Sequence, residues 1–135
     1  ADIGTGQRAG NLDRSKPASG KRTPTPEAKV RKAGLTYLQK VGALMVRANA
    51  GTFVGEGGHV IQGAAKGTAD DLGVLPGGQA LAVEWKAGKN KPSPSQEAWG
   101  QRWAERGGVY VVCWDVQRDL KPVVEAILKK GTTKP

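Results

Sequence analysis

Apolar side chains recur at helical spacing after Thr25 and then give way to short apolar runs. Thr25 is a good helix N-cap and Pro26 suits the first helical position, so the pattern predicts a helix that begins there. Gly42 is a suitable residue to end it. The short apolar runs predict strands at residues 43–48, 69–75, 79–87 and 109–114, and residues 53–54 and 60–61 are short strand candidates around a Gly-rich hairpin.

Two more helices are indicated in the second half of the chain. Ser95 is the expected cap of a helix that runs to about Arg106, and Asp119 is the expected cap of another that runs through Lys130. The elements therefore follow the order helix, three or four strands, helix, strand, helix. This order predicts an α/β fold with a mixed central sheet flanked by helices.

The charge of the chain is concentrated at its two ends. The 135 residues carry a net charge of +9, of which residues 1–49 contribute +7, residues 50–120 contribute −1 and residues 121–135 contribute +3. Such a balance indicates a polyanionic partner, with nucleic acid ahead of an anionic membrane. Because no apolar run approaches the length of a transmembrane helix, no such helix is expected.

Residues 1–24 are rich in Gly, Ser, Pro, Lys and Arg and contain almost no large apolar residue. We expect a flexible basic tail there and a folded domain over residues 25–135. Cys113 is the single cysteine and His59 the single histidine. These counts exclude an internal disulfide and a Cys-rich zinc finger, and they argue against a two-histidine nuclease.

The segment LAVEWKA carries the most informative alternation of side chains. Leu81, Val83 and Trp85 point to one face, into apolar packing, whereas Glu84 and Lys86 point to the other. Two residues of strand span about 6.6 Å, so the carboxylate and the ammonium are close enough to share a bound ion and its water. The alternative reading is the exposed polar face of an edge strand.

Two adjacent acids, Asp70 and Asp71, lie on the expected strand partner of this segment. Pairing through the turn Pro76-Gly77-Gly78 brings one of these carboxylates beside Glu84. Neighbouring carboxylates repel each other and favour a bound cation, and hard oxygen ligands suit Mg²⁺ or Mn²⁺. Such an ion acidifies a bound water and stabilises a phosphoryl transition state, which a nearby lysine assists. Turn or solubilising residues are the alternative reading for the two acids.

An Asp followed by Glu-x-Lys on the next strand is the pattern of the PD-(D/E)XK nucleases. The longer segment GTADDLGVLPGGQALAVEWKAGKNKPSPSQEAW closely resembles the virus-type replication-repair nuclease (VRR-NUC) domain of that superfamily. The resemblance covers roughly residues 25–130 and implies an αβββαβ core. The elements that match are Glu27, Gly67-Thr68-Ala69-Asp70, Pro76-Gly77-Gly78, Glu84-Trp85-Lys86, Ser93-Pro94-Ser95-Gln96 and Gly107-Gly108-Val109-Tyr110.

The resemblance also implies a set of site residues. Asp70 and Glu84 look like the metal ligands, with the backbone carbonyl of Trp85 as a further ligand, and Lys86 looks like the catalytic lysine. The cofactor implied is Mg²⁺ or Mn²⁺. The chain departs from the family pattern at Ala69, where the family usually has Pro, but this change removes no catalytic group.

Three further residues have less specific signals. By the resemblance, Glu27 reaches the metal shell from the first helix and Gln96 orients the site from the second. A contact with the helix dipole is the alternative for Glu27, and an ordinary first-turn position is the alternative for Gln96. Asp71 competes with Asp70 for the ligand role, although the spacing from Gly67 favours Asp70.

Basic and aromatic residues near the predicted site are candidates for contacts with nucleic acid. Trp99 and Trp103 lie four residues apart on one helix face, where core packing is the main interpretation and stacking on bases is the alternative. The candidates for phosphate contacts are Arg47, Lys66, Lys89 and Lys91.

The sequence and the resemblance together predict a metal-dependent DNA endonuclease that hydrolyses phosphodiester bonds. The resemblance implies a branched, flap or four-way-junction substrate, a role in replication, recombination or repair, a cytoplasmic location in a bacterial or phage-infected cell, and a homodimer. The alternative is a basic nucleic-acid-binding module with an inactive site. An RNA nuclease is a third reading, although the sequence contains no aromatic RNA-binding motif.

Overall fold

The computed structural model describes residues 23–50 and 52–131 of the chain. A short 3₁₀ turn at Glu56–Gly58 and a π-helical segment at Val116–Leu120 accompany the regular elements. The predicted tail falls almost entirely outside the described residues. The regular elements are α1 (Pro26–Lys40), β1 (Leu44–Arg47), β2 (Thr52–Val54), β3 (Val60–Gln62), β4 (Asp71–Val74), β5 (Ala80–Trp85), α2 (Pro94–Glu105), β6 (Val109–Cys113) and α3 (Lys121–Gly131).

Four of the strands form a mixed sheet in the order β1-β4-β5-β6. The β1–β4 and β4–β5 pairs are antiparallel, and the β5–β6 pair is parallel. Strands β2 and β3 form a separate antiparallel hairpin between β1 and β4 in the chain. The predicted α/β class, with a mixed central sheet and an αβββαβ order, is therefore confirmed, and the hairpin is inserted into that core.

The strand directions bring several chain segments to one end of the sheet. In the register of the strands, Arg47 pairs with Asp71, Asp71 with Val83, and Trp85 with Cys113. The carboxyl ends of β1, β5 and β6 and the amino end of β4 therefore meet at the same end, which we name the upper end of the sheet. The residues that follow β5 and β6 and those that precede β4 are neighbours there.

The core lies on the face of the sheet that carries Leu81, Val83 and Trp85, as the alternation in β5 predicted. Trp85 is buried against α1, where Gly34 lies directly under its ring, and a Cβ at Gly34 would collide with that ring. A glycine that weakens an isolated helix is therefore required for the close approach of α1 to β5. The other buried members of the core are Leu38, Leu75, Val111, Cys113, Leu120 and Val124.

The helix starts follow from local hydrogen bonds. The Thr25 hydroxyl accepts a hydrogen bond from the backbone N–H of Ala28 at 3.1 Å, as the capping pattern predicted for α1. For α2 the predicted cap, Ser95, is wrong, because Ser93 is the N-cap. Ser93 and Gln96 form a reciprocal capping box, which places Pro94 at the first helical position.

The predicted cap of the last helix is also wrong. Asp115 caps the π-helical segment by accepting from the backbone N–H of Arg118, at 3.1 Å. The Asp119 carboxylate instead accepts from the backbone N–H groups of Trp114 and Asp115, at 2.9 and 3.0 Å. Asp119 therefore closes the chain reversal after β6.

None of the helices in the described part of the chain has both the length and the apolarity needed to cross a membrane.

Candidate active site

Glu84 lies at the upper end of the sheet on β5, which has strand neighbours on both sides. Only 1% of its surface is exposed. The reading of β5 as an edge strand with an exposed polar face is therefore wrong. A carboxylate that is buried to this extent needs partners or a counterion, since transfer of an ionised group out of water is unfavourable.

The two oxygens of Glu84 have different surroundings. Oε2 accepts a hydrogen bond from Nε2 of Gln96 at 2.5 Å, and the ammonium of Lys86 lies 3.8 Å from the same oxygen. Oε1 is buried and has no hydrogen-bond partner among the described residues. A buried polar atom without a partner is uncommon in folded proteins and frequently marks the place of a bound water or ion.

The electrostatics of Glu84 follow from this placement. Burial raises the pKa of Glu84 to about 7, and the charges of Asp70 and Glu27 add to the increase while Lys86 opposes it. The protein alone therefore disfavours the ionised form of Glu84. A bound cation would favour that form, because it supplies the charge that the surrounding residues lack.

Asp70 lies just before β4, beside the backbone of β5. Its Oδ2 accepts a hydrogen bond from the backbone N–H of Trp85 at 2.9 Å. The N–H of Lys86 bonds the carbonyl of Cys113 on β6, so the peptide groups of Trp85 face the opposite, β4 side of the strand. The Trp85 carbonyl and the Asp70 carboxylate therefore lie on the same side of β5. Burial is the main cause that raises the pKa of Asp70.

Asp71 has a different environment from its neighbour and is 1% exposed. Its two oxygens accept from Nε and Nη2 of Arg31 at 2.8 and 3.0 Å, and Oδ2 also accepts from the indole N–H of Trp85 at 2.6 Å. Asp71 therefore links α1, β4 and β5 through its own hydrogen bonds. Of the two acids, Asp70 is the one whose carboxylate is placed beside Glu84 and the Trp85 backbone.

A cavity of about 470 Å³ opens between α1 and the upper end of the sheet. Glu27, Arg31, Arg47, Asp70 and Trp85 are among its lining residues. Within residues 23–50 and 52–131, no three His, Cys, Asp or Glu side chains are close enough together to hold one metal ion. Glu27 therefore shares this cavity with Asp70 but does not join Asp70 and Glu84 in a compact group of three.

The predicted phosphate contacts lie on two sides of Glu84. Arg47, at the end of β1, lines the cavity beside Asp70, and Lys66 is exposed in the turn that precedes Thr68. Lys89 and Lys91 are exposed in the loop after β5 and line a second cavity. The structure therefore distributes these cations along the upper end of the sheet, and their contact with DNA stays a prediction.

The two tryptophans of α2 support the helix on the sheet. Trp99 and Trp103 stack with their ring centroids 5.1 Å apart, and the Trp103 indole donates to the carbonyl of Val109 at 3.0 Å. Gly100, on the same helix, lies against the ring of Tyr110 on β6. These contacts fix the angle of α2, and therefore the position from which Gln96 reaches Glu84.

Two features were not predicted from the sequence. One is Arg31, which binds Asp71, and the other is Ser93 as the N-cap of α2. Arg31 follows Glu27 by four residues, a spacing that places both on one helix face, so the helical periodicity contained this signal. The capping box of α2 also has a signal in the sequence, because Ser93 precedes Gln96 by three residues. The bond between Asp71 and the Trp85 indole has no local signal, since it joins residues 14 positions apart.

The donor atoms gathered here fit a hard divalent cation. They are the Asp70 carboxylate, the unpartnered Oε1 of Glu84 and the Trp85 carbonyl, all of them oxygens. Mg²⁺ and Mn²⁺ prefer such ligands, and Mg²⁺ usually retains several waters beside one or two carboxylates. Within the described part of the chain no third acidic side chain joins these ligands, which is compatible with an ion that retains several waters.

Comparisons with known proteins agree with this architecture. No family model matches the sequence, and no curated protein matches it. Among solved structures, one described as a VRR_NUC domain is similar to this chain, with a TM-score of 0.52 and 23% sequence identity. The similarity covers 78% of this chain and 96% of that one. The chain therefore has a VRR-NUC-like fold, as the resemblance of its motifs implied.

Proposed function

We propose that this protein is a metal-dependent nuclease that hydrolyses phosphodiester bonds in DNA. The observation that carries the proposal is the buried Glu84, whose Oε1 has no partner among the described residues, with Asp70 and Lys86 beside it. A protein that only binds DNA gains nothing from buried carboxylates at a phosphate-binding surface. The VRR-NUC-like fold and the net charge of +9 support the same proposal.

Asp70, Glu84 and the Trp85 carbonyl would hold Mg²⁺ or Mn²⁺. The ion would acidify a bound water and stabilise negative charge on the phosphate. Gln96 holds the Glu84 carboxylate in one orientation through its bond to Oε2. The Lys86 ammonium, 3.8 Å from Glu84, stabilises charge on the reacting phosphate.

Glu27 has an outer role in this proposal. It lines the cavity that contains Asp70, and its charge contributes to the raised pKa of Glu84. We place it beside the waters of the metal site and not among the direct ligands. Arg47, on the same cavity, supplies a cation for a phosphate of the bound strand.

The substrate we propose is branched, flap or four-way-junction DNA, cut by a homodimer. Strand β1 is at an edge of the sheet, and its Leu44 and Val46 are 75% and 61% exposed. Val74, on the paired strand β4, is exposed beside them. An apolar sheet edge of this kind favours pairing with another chain, and a second copy would place two sites on one DNA junction.

Such an enzyme would act in replication, recombination or repair, in the cytoplasm of a bacterial or phage-infected cell.

The nuclease activity is tested by cleavage of labelled four-way junction, flap, duplex and single-stranded DNA with Mg²⁺, Mn²⁺ or EDTA. Cutting with metal and not with EDTA supports the proposal. The DNA that is cut fastest shows which of these structures the enzyme prefers. Binding without cutting under every metal condition would favour an inactive binding module.

The homodimer is tested separately by sedimentation of the wild type and of Val46→Lys. A charge at this exposed position should shift a dimer to the monomer without unfolding the chain. A wild type that sediments as a monomer, both alone and on junction DNA, would contradict the proposal that two copies of the chain cut one junction.

A further inference from the structure

At the upper end of the sheet, an aromatic residue follows directly after β6, the strand beside Glu84 and Lys86. The backbone N–H of Lys86 bonds the carbonyl of Cys113 at 2.9 Å, and Trp114 is the next residue of that chain segment. Adjacent strands are about 4.8 Å apart, so the backbones of Trp114 and Lys86 are neighbours. The indole N–H of Trp114 donates to the carbonyl of Asn90 at 2.8 Å, which ties the ring to the loop after β5.

The half-buried Trp114 ring lines an open cavity of about 470 Å³. This volume lies within the range of roughly 300–1,000 Å³ that is usual for small-ligand sites. The other lining residues are Gly88, Lys89, Asn90, Lys91 and Arg118.

The charges of this cavity favour an anionic ligand with a planar part. Lys89 and Lys91 are exposed on its rim. Nε and Nη2 of Arg118 both donate to the Asp119 carboxylate, at 2.7 and 2.9 Å, which offsets part of the charge of this exposed guanidinium. The two lysines are therefore the main candidates for binding phosphates, while Trp114 and Arg118 line the cavity with planar groups.

We propose that this cavity binds an unpaired nucleotide of DNA beside the cleaved bond, with its base stacked on Trp114 and its phosphates on Lys89 and Lys91. The proposal rests on the proposed nuclease function and specifies its substrate. Both faces of a base inside a continuous duplex are covered by neighbouring bases, so stacking on an indole needs an unpaired base or the end of a duplex. Among the proposed substrates, the site would therefore favour DNA with a single-stranded arm, such as a flap, over a fully paired four-way junction.

The test uses the full chain in EDTA, with a DNA duplex that carries a single-stranded arm. The fluorescent base 2-aminopurine replaces each base of the arm in turn, and its quenching is compared for the wild type, Trp114→Phe and Trp114→Leu. We expect quenching at one position near the duplex end, kept in Trp114→Phe and lost in Trp114→Leu. Removal of the base at that position should weaken wild-type binding by about 5-fold or more and leave Trp114→Leu unaffected.

The lysines are tested by the salt dependence of binding. The double substitution Lys89→Ala and Lys91→Ala should lower the slope of log K against log salt by about two. Lys40→Ala is the matched control, because Lys40 is exposed at the far end of α1, where the chain enters β1 at the opposite end of the sheet. An equal effect of the control would overturn the assignment of the lysines.

Two failures can be distinguished. If the wild type cuts DNA with Mg²⁺ but quenches 2-aminopurine at no position of the arm, the nucleotide site is wrong and the nuclease stands. If the wild type cuts no DNA, the nuclease proposal fails, and position-specific quenching that Trp114→Leu abolishes would still support the nucleotide site. Whether or not the wild type cuts DNA, an abasic arm that it binds as tightly as the intact arm would overturn the proposed stacking of a base on Trp114.

Discussion

Gln96 joins the start of α2 to the carboxylate of Glu84 through the two ends of one amide group. Its Nε2 donates to Glu84 at 2.5 Å, and its Oε1 accepts from the backbone N–H of Ser93 at 2.7 Å. The capping box of the helix therefore also fixes the amide, because a flipped amide would lose both bonds. The helix start and the orientation of the buried carboxylate depend on the same side chain.

Gln96→Ala should therefore reduce both stability and cleavage. Loss of half of the capping box and of the Glu84 contact should cost about 1–2 kcal/mol in the free energy of unfolding. The cleavage rate should fall more than it does in Ser93→Ala, which weakens the cap but leaves the Glu84 contact in place. Urea unfolding and single-turnover cleavage measure the two effects. Equal loss of cleavage in both variants would show that Gln96 acts only as a cap.

Replacement of the carboxylate by an amide should have opposite effects on stability at Asp70 and at Asp71. Asp71→Asn removes the charge that binds Arg31, and the weakened hydrogen bonds of this partly buried pair should cost about 1–3 kcal/mol in unfolding free energy. Asp70→Asn should leave stability unchanged or raise it at neutral pH, because the raised pKa of Asp70 shows that the fold disfavours its charge. Only Asp70→Asn should abolish cleavage in a chain that remains fully folded. Loss of stability in Asp70→Asn with normal folding of Asp71→Asn would reverse these assignments.

The sequence predicted the elements and the pairing of β4 with β5 because both have local signals. The alternation of LAVEWKA placed Trp85 in the core and Glu84 on the other face, and the turn at Pro76-Gly77-Gly78 paired the two strands. The helix start at Ser93 was misread by two residues, because Ser95 also has a capping side chain. Local patterns choose between such candidates only when the reciprocal partner, here Gln96, is considered.

The contacts that decide the character of the site are long-range and were not predictable. The spacing from Gly67 favoured Asp70 over Asp71, but the bonds of Asp71 to Arg31 and Trp85 depend on how α1 packs across the sheet. The burial of Glu84 likewise depends on β6, which pairs with β5 after an intervening helix. Periodicity identifies the face of a strand, and only the assembled sheet determines how deeply that face is buried.

Gly34→Ala tests the close approach of α1 to β5. Alanine normally stabilises a helix relative to glycine, but a methyl group here would collide with the Trp85 ring. The variant should lose about 1–3 kcal/mol of unfolding free energy through overpacking. Gly131→Ala is the matched control, because nothing lies within 4 Å of the added group there. Thermal unfolding of both variants measures the difference, and a stabilised Gly34→Ala would contradict the packing.

Asp119 should make the stability of the fold depend on acid pH. Its bonds to Arg118 lower its pKa from 3.8 to about 2, and the backbone N–H groups of Trp114 and Asp115 contribute to the same shift. A lowered pKa stabilises the fold fully above the ordinary value, and this stabilisation is lost as the pH falls through the folded value. Asp119→Asn should therefore cost about 1 kcal/mol at neutral pH, and the difference should vanish toward pH 2. Urea unfolding at a series of pH values measures it, and a difference that is constant with pH would contradict the account.

The most direct test of the account is cleavage of labelled branched DNA by the wild type and by Glu84→Gln, with Mg²⁺ and with EDTA. Glutamine keeps the shape of the side chain and an oxygen for Gln96, but it removes the charge that a metal needs. We predict that the wild type cuts only with Mg²⁺ and that Glu84→Gln loses at least about 100-fold in rate. We also predict that DNA binding in EDTA is unchanged and that the variant is at least as stable as the wild type near pH 8, because burial raises the pKa of Glu84. Unchanged cleavage by Glu84→Gln, or cleavage by the wild type in EDTA, would contradict a metal-dependent nuclease in which Glu84 is a metal ligand.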